Sequence, residues 1–280
     1  MKAIILNLSA WAVLPFMDTI AKYLSAELSF FQITWARYFF TVFWTLPFMF
    51  IFFRKKLTFS ENPKLQILRG LTLFSANICF FYSISVISMA KALTLAFVAP
   101  LVTTALSPIL LGEKVGIRRW TAVIVGFIGS LVVIRPGFIE FNLATIAALG
   151  TGCLYGVYLI ITRKLHTTDN PLLTLLLTGI VGATISTFFV PIVWVNPTNE
   201  QWLWLAIMGI FACLGHILLI YSLRYADASK LAPFGYFEII TNIILGYYVF
   251  KDFPDLWTFL GLFIIMSSGI YIFRREINYK

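Results

Sequence analysis

Residues Trp202–Arg224 read WLWLAIMGIFACLGHILLIYSLR, a stretch without an acidic side chain, with one histidine at 216 and its first charge at the closing arginine. As an α-helix it is about 35 Å long at about 1.5 Å per residue. That is enough to cross a hydrocarbon layer of about 30 Å. Working outward, the same pattern recurs at Lys2–Leu24, Phe30–Phe53, Leu65–Val86, Ala90–Leu111, Ile117–Ile134, Leu143–Arg163, Leu172–Trp194, Ala228–Phe250 and Asp255–Phe273. The breaks carry turn and charge signals: Arg54-Lys55-Lys56, Gly112-Glu113-Lys114, Arg135-Pro136-Gly137 and Asn196-Pro197-Thr198-Asn199. Ten spans in 280 residues leave no room for a soluble domain of any size. The expected fold is all-α and polytopic, with ten transmembrane helices.

Composition agrees. The chain is 60% hydrophobic and 12% charged, against about 25% charged in an average soluble domain, and its mean hydropathy is +0.90. A soluble enzyme, a nucleic-acid module and a disordered regulator are excluded together. The net charge of +9 sits in short clusters between apolar runs and makes no basic face for nucleic acid. Cys79, Cys153 and Cys213 lie far apart inside apolar runs, so neither a disulfide framework nor a metal site is expected. Lys2 followed by an apolar stretch has the outline of a cleaved signal. The apolar pattern runs on through Phe16, however, and a retained first span is expected.

Orientation follows from lysine and arginine. With the N-terminus inside, sixteen of the 21 fall at inside ends, four (Lys22, Lys91, Arg135 and Lys251) at outside ends, and Arg37 within a span. Both termini are expected to be cytoplasmic, in a multi-pass protein of the inner membrane.

Two stretches rhyme. Ala99-Pro100, Leu111-Gly112-Glu113, Arg119-Trp120-Thr121 and a span with Gly126 and Gly129 answer Ala232-Pro233, Phe250-Lys251-Asp252, Leu256-Trp257-Thr258 and a span with Gly261 and Gly269. Each set occupies the last two spans of a five-span half, and an odd number of spans per half makes the repeat inverted. The expected halves are residues 1–137 and 138–280.

Pro100-Leu101, Leu111-Gly112-Glu113 and Gly126-x-x-Gly129 resemble the first EamA-type repeat of the drug/metabolite transporter superfamily. Ala232-Pro233-Phe234 through Tyr236, and Gly246 to Asp255, resemble the second, although Lys251-Asp252 stands where Gly-Glu is usual. Asp18 with Lys22, Arg37 and Arg69-Gly70-Leu71 match the same pattern. The resemblance covers nearly the whole chain and is nearest to the bacterial S-adenosylmethionine transporter branch, which includes proposed riboflavin carriers. It implies two inverted five-helix halves around a central cavity, working by alternating access on a small organic metabolite. S-adenosylmethionine, riboflavin, amino acids and drugs are the substrates left open.

A charge at the bilayer centre costs about 2.5–3.5 kcal/mol on insertion scales, so each polar group inside a span is a candidate site. Glu238, with Thr241 and Asn242 at helical spacing, lies near the midplane; His216 and Asn77 are the other deep polar groups. Glu238 suits proton coupling or a cationic substrate, and equally a structural carboxylate. Tyr155 and Tyr158 share a face of span 6 with Thr151 and Thr162, and Pro100, Thr103, Thr104 and Ser107 share one of span 4. With Tyr236, Phe81 and Trp11 they compose a candidate substrate-binding cavity whose rings suit a planar or cationic solute. Asp18 and Arg37, at similar depth, are candidates for gating or coupling, as a fixed ionic clamp or an outer gate. Gly152 and Gly156 form G-x-x-x-G, a close-packing signal.

Rival classes lack their motifs. No nucleophile elbow, H-E-x-x-H helix, paired intramembrane aspartates or Walker A loop occurs. A membrane enzyme and a channel are therefore the alternatives to a secondary carrier. Catalytic residues, cofactors and metals are not expected. The expected partners are a small-molecule substrate and the bilayer, with a proton or an exchanged substrate as coupling candidates and a monomer or homodimer as the unit.

Overall fold

The computed structural model describes residues 2–53, 60–110, 116–134, 142–165, 169–225, 234–235 and 237–278. Among them there is no strand. The helices are α1 (Lys2–Leu24), α2 (Phe30–Phe53), α3 (Pro63–Val86), α4 (Met89–Ala96), α5 (Ala99–Leu110), α6 (Ile117–Ile134), α7 (Leu143–Leu165), α8 (Pro171–Phe189), α9 (Asn199–Tyr225), α10 (Phe237–Phe250) and α11 (Leu256–Asn278). Prolines set several starts. Pro63 and Pro171 occupy first-turn positions, where the missing N–H costs nothing, and the Asn170 side chain caps α8 by accepting from Leu172 N at 3.0 Å. Among the described residues six helical stretches are long and apolar enough to cross a membrane, one of them Met89–Leu106, which runs through α4 and into α5, and the shorter apolar helices Ile124–Val133, Phe237–Phe250 and Leu256–Ser268 stand beside them.

Two expected spans differ from the reading. Ala90–Leu111 is not one helix: α4 ends at Ala96 and α5 begins at Ala99. Pro100, second residue of α5, has no N–H to donate to the turn before it. Of Ala228–Phe250 the described helix begins only at Phe237, while 226–233 and Tyr236 lie outside the described residues.

The pattern of burial is inverted relative to a soluble protein. Ile51 and Phe263 are each 71% exposed, whereas Arg37 and Arg69 are 2% and 1% exposed. An apolar exterior around buried charge is stable only where the surrounding medium is itself apolar.

Packing pairs are specific. α1 lies along α9 and α3 along α7; α2 contacts α8 and α9; α8 also contacts α3; α1 meets α10; α7 meets α4 and α5; and α6 packs on α11. Glycines allow the closest crossings. A Cβ on Gly152 would stand 2.6 Å from Ala96 O and one on Gly156 2.9 Å from Ala99 O, so α7 presses its G-x-x-x-G face against the break between α4 and α5. Gly129 and Gly261 face each other's carbonyls across α6 and α11. The main apolar core gathers Ile20, Leu24, Ile33, Phe80, Phe81, Ile84, Met89, Leu205 and Met208.

Candidate functional site

Five helices converge on a small buried cavity of about 10 Å³, the room of roughly one water molecule. Its polar lining is Arg37, Tyr38 and Thr41 from α2, Arg69 from α3, Tyr158 from α7, Thr178 from α8 and His216 from α9, and Leu73, Leu175 and Ile220 complete the wall.

Arg69 is held by its neighbours. Its Nε donates to Thr162 Oγ1 at 2.8 Å, Nη1 to Thr178 Oγ1 at 2.5 Å and to Thr174 O at 3.4 Å, and Nη2 to the Tyr158 hydroxyl at 2.7 Å. The guanidinium also lies 4.6 Å from the Tyr158 ring centroid, a cation–π distance. Thr162 and Thr178 donate their own hydroxyl hydrogens to the carbonyls one turn back, Tyr158 O and Thr174 O. They therefore offer Arg69 only lone pairs. Every partner is neutral.

Arg37 is held more loosely. Its Nη2 lies 2.7 Å from His216 Nε2, its Nε points at Met17 Sδ at 3.2 Å, and it stacks 4.6 Å from the Tyr38 ring. Arginine has no acceptor, so His216 Nε2 must accept and the ring is the neutral tautomer protonated at Nδ1. Asn77 joins this network by donating to the Tyr38 hydroxyl at 2.7 Å. Among the described residues neither arginine has a carboxylate within ion-pair distance; the one ion pair found there joins Lys22 to Asp252.

The level shared by Asp18 and Arg37 is that of the expected clamp, but Arg37 reaches across to α9 and bonds His216. Asp18 is 3% exposed and interacts with Arg37 through space, without a hydrogen bond among the described residues. Its charge also acts on Glu238. Glu238 stands in the first turn of α10, where a carboxylate is favoured by the helix dipole. One turn on, Asn242 is fully buried, donates to Glu238 O at 3.1 Å and leaves its Oδ1 without a partner. Trp11 donates to Asn7 Oδ1 at 2.9 Å and lies under the backbone of Gly235, just before α10. Asn7 in turn donates to Ser222 of α9.

The Tyr155 ring is 5.1 Å from that of Tyr158, and its hydroxyl is in electrostatic reach of Glu238 as well as of Arg37 and Arg69. The rest of the span 6 face packs helices: Thr151 donates to Ala76 O and Ala147 O. Thr103 of the span 4 face bonds Gly156 O. Phe81, 1% exposed, belongs to the apolar core. Tyr236 lies outside the described residues, as do Glu113 and His166. Among the described residues no group of three or more His, Cys, Asp or Glu could hold a metal ion.

A family comparison bears on this apolar bundle with charge inside it. A model of the EamA-like transporter family matches residues 1–135 and again residues 142–274. The chain belongs to the EamA-like transporter family. It is a multi-pass membrane transporter and not an enzyme. It is 29% identical over 259 residues to an S-adenosylmethionine uptake transporter of Rickettsia bellii, covering 92% of this chain and 89% of that protein. It is 29% identical over 188 residues to a riboflavin transporter of Vibrio cholerae, covering 66% and 63%. A protein of known crystal structure, 16% identical, has the same fold, with a TM-score of 0.68 over 95% of this chain and 96% of the other.

In this EamA-like transporter the sequence reading passes over Arg69 as a cavity residue. It sits six residues after Pro63 and counts with Lys64 among the loop charges. Its depth is the signal that could have found it: about 9 Å into the helix, too far for a loop charge and too polar for lipid.

Proposed function

We propose that this chain is a secondary-active carrier that moves a small organic metabolite, with S-adenosylmethionine as the leading candidate, by alternating access across the inner membrane. Ten spans in two inverted halves, residues 1–137 and 138–280, would carry the motion, with both termini cytoplasmic. The observation that carries the reading is the buried charge. Arg37, Arg69 and Asp18 are buried inside an apolar bundle, with Glu238 half-buried, and charge there is costly and is retained for a pathway or a binding site.

The packing pairs support the inverted arrangement. Exchanging halves turns α1–α9 into α7–α3, α2–α9 into α8–α3 and α1–α10 into α7–α4. It maps α2–α8 and α6–α11 onto themselves. All of these pairs occur. The relative's name motivates the substrate, and the site suits it chemically: S-adenosylmethionine carries a cationic sulfonium, an amino acid and a planar base. Glu238, Asp18, Tyr155, Tyr158, Asn77, Trp11, His216 and Tyr236 are the residues proposed around it, with Asp18, Arg37 and Glu238 in gating or coupling.

The test is uptake of labelled S-adenosylmethionine into proteoliposomes, with riboflavin in parallel and with pH gradients or preloaded substrate to reveal coupling. Saturable uptake that is lost in Glu238→Gln supports the carrier. Riboflavin uptake alone would replace the substrate, and no uptake of either would remove both.

A further inference from the structure

Two full positive charges line one cavity, and among the described residues no carboxylate lies within ion-pair distance of either. Arginine brings five N–H donors. Arg69 uses four on neutral acceptors, and Arg37 meets His216, the Met17 thioether and the neighbouring Tyr38 hydroxyl. Every one of these partners is neutral, and both guanidinium groups line the same small space. Neutral partners orient a guanidinium without neutralising it. An arginine fixed by threonine hydroxyls, whose own hydrogens are engaged within their helices, is a preorganised anion receptor. The cavity's room is that of a small group, far below a whole metabolite. Two carboxyl groups act on the same region without touching the arginines: Asp18 on Arg37, and Glu238 on Tyr155.

We propose that Arg37 and Arg69 bind the carboxylate of a zwitterionic substrate whose cationic part lies toward Asp18 and Glu238. The substrate class is thus an amino-acid-type zwitterion, its carboxylate in the arginine cavity and its cationic and planar parts along Tyr155. This rests on the carrier reading above and sharpens it. His216 acts as a positioning residue, accepting from Arg37 and directing its guanidinium at the ligand.

The test compares matched pairs of compounds that differ only by the carboxylate: S-adenosylmethionine with its decarboxylated derivative, and methionine with its decarboxylated amine. Binding is read from thermal stabilisation of the purified full chain, in wild type, Arg69→Gln, Arg69→Lys and Arg37→Gln. Wild type is expected to prefer the carboxylated member of whichever pair binds by roughly tenfold to hundredfold, the range of a hydrogen bond to a charged group. In Arg69→Gln and Arg37→Gln the ratio of the two affinities falls toward one, and Arg69→Lys keeps part of it. The wild-type ratio needs no variant to fold. Equal affinities in wild type overturn the proposal while leaving the carrier intact, and so does a resident inorganic anion at the arginines, which produces that same equality. A neutral or purely cationic compound as the tightest binder overturns it too. If the methionine pair shows the preference and neither adenosyl compound binds, the arginine assignment stands and the S-adenosylmethionine reading falls.

Discussion

The crossing of α3 with α7 and that of α1 with α9 are built alike, each a long helix pair packed along its length, yet they carry opposite chemistry. The first holds Arg69 in a ring of hydroxyls from Thr162, Thr178 and Tyr158. The second holds Asp18, Asn7 and Trp11, with Glu238 entering from α10. The scaffold therefore does not decide the polarity of the cavity. A handful of side chains on equivalent crossings do, which lets one architecture serve relatives named for S-adenosylmethionine and for riboflavin. The two crossings also differ in satisfaction. Arg69 is wrapped by four donated bonds, whereas the carboxyls of Asp18 and Glu238 make no hydrogen bond among the described residues.

That difference breaks most sharply at Arg69. Replacing a buried charge network by an apolar side chain of similar volume is often neutral or stabilising. Here Thr162 and Thr178 keep their intrahelical donations when the guanidinium goes. Arg69→Met is thus expected to cut uptake by a hundredfold or more while the melting temperature holds or rises. A parallel fall in both would make Arg69 a purely structural residue. On the opposite crossing, Asp18→Asn and Glu238→Gln each remove one of two like charges. Each is expected to lower uptake by roughly tenfold to hundredfold, the range set by a single charge-assisted hydrogen bond. Uptake unchanged in both would leave the cationic end of the substrate without a partner.

Gly152→Val tests the scaffold shared by both. The added atoms meet Val98 and Ala96 O at 2.5 and 2.6 Å, and overpacking of this kind costs about 1–3 kcal/mol. The expected result is a lower melting temperature with substrate preference intact in the protein that folds. No fall would mean that α7 and the α4–α5 break stand farther apart.

The ten apolar runs were legible because lipid imposes a one-dimensional rule: length and hydropathy along the chain. The family was legible because its glycines, prolines and loop acids sit at fixed spacings. What the spacing could not supply was azimuth. Asp18 and Arg37 share a depth, and depth alone suggests a pair; the side chain that reaches Arg37 instead belongs to α9, 179 residues on. Arg69 stayed hidden for the same reason, its partners being 93 and 109 residues away on α7 and α8. The break at Phe97–Val98 was legible in principle. Pro100 announces it, but a hydropathy window averages across a lost hydrogen bond.

The smallest effect is expected where the two halves touch at the side opposite the termini. Lys22, at the end of α1, pairs with Asp252 beyond α10 and lies 4.9 Å from the Phe250 ring centroid. The side chains are 15% and 34% exposed, so water and salt reach the pair, and such pairs contribute about 0–1 kcal/mol. Under the proposed alternating access this face opens, and a strong clasp there would hold the carrier shut. A weak one only biases the equilibrium. Lys22→Met should therefore change the uptake rate less than about threefold, within the factor of about five that 1 kcal/mol allows. Wild type should converge on the variant in 1 M salt, where the screening length falls to about 3 Å. A loss beyond tenfold that salt does not reproduce would assign Lys22 to the substrate pathway and extend the negative crossing to the membrane surface.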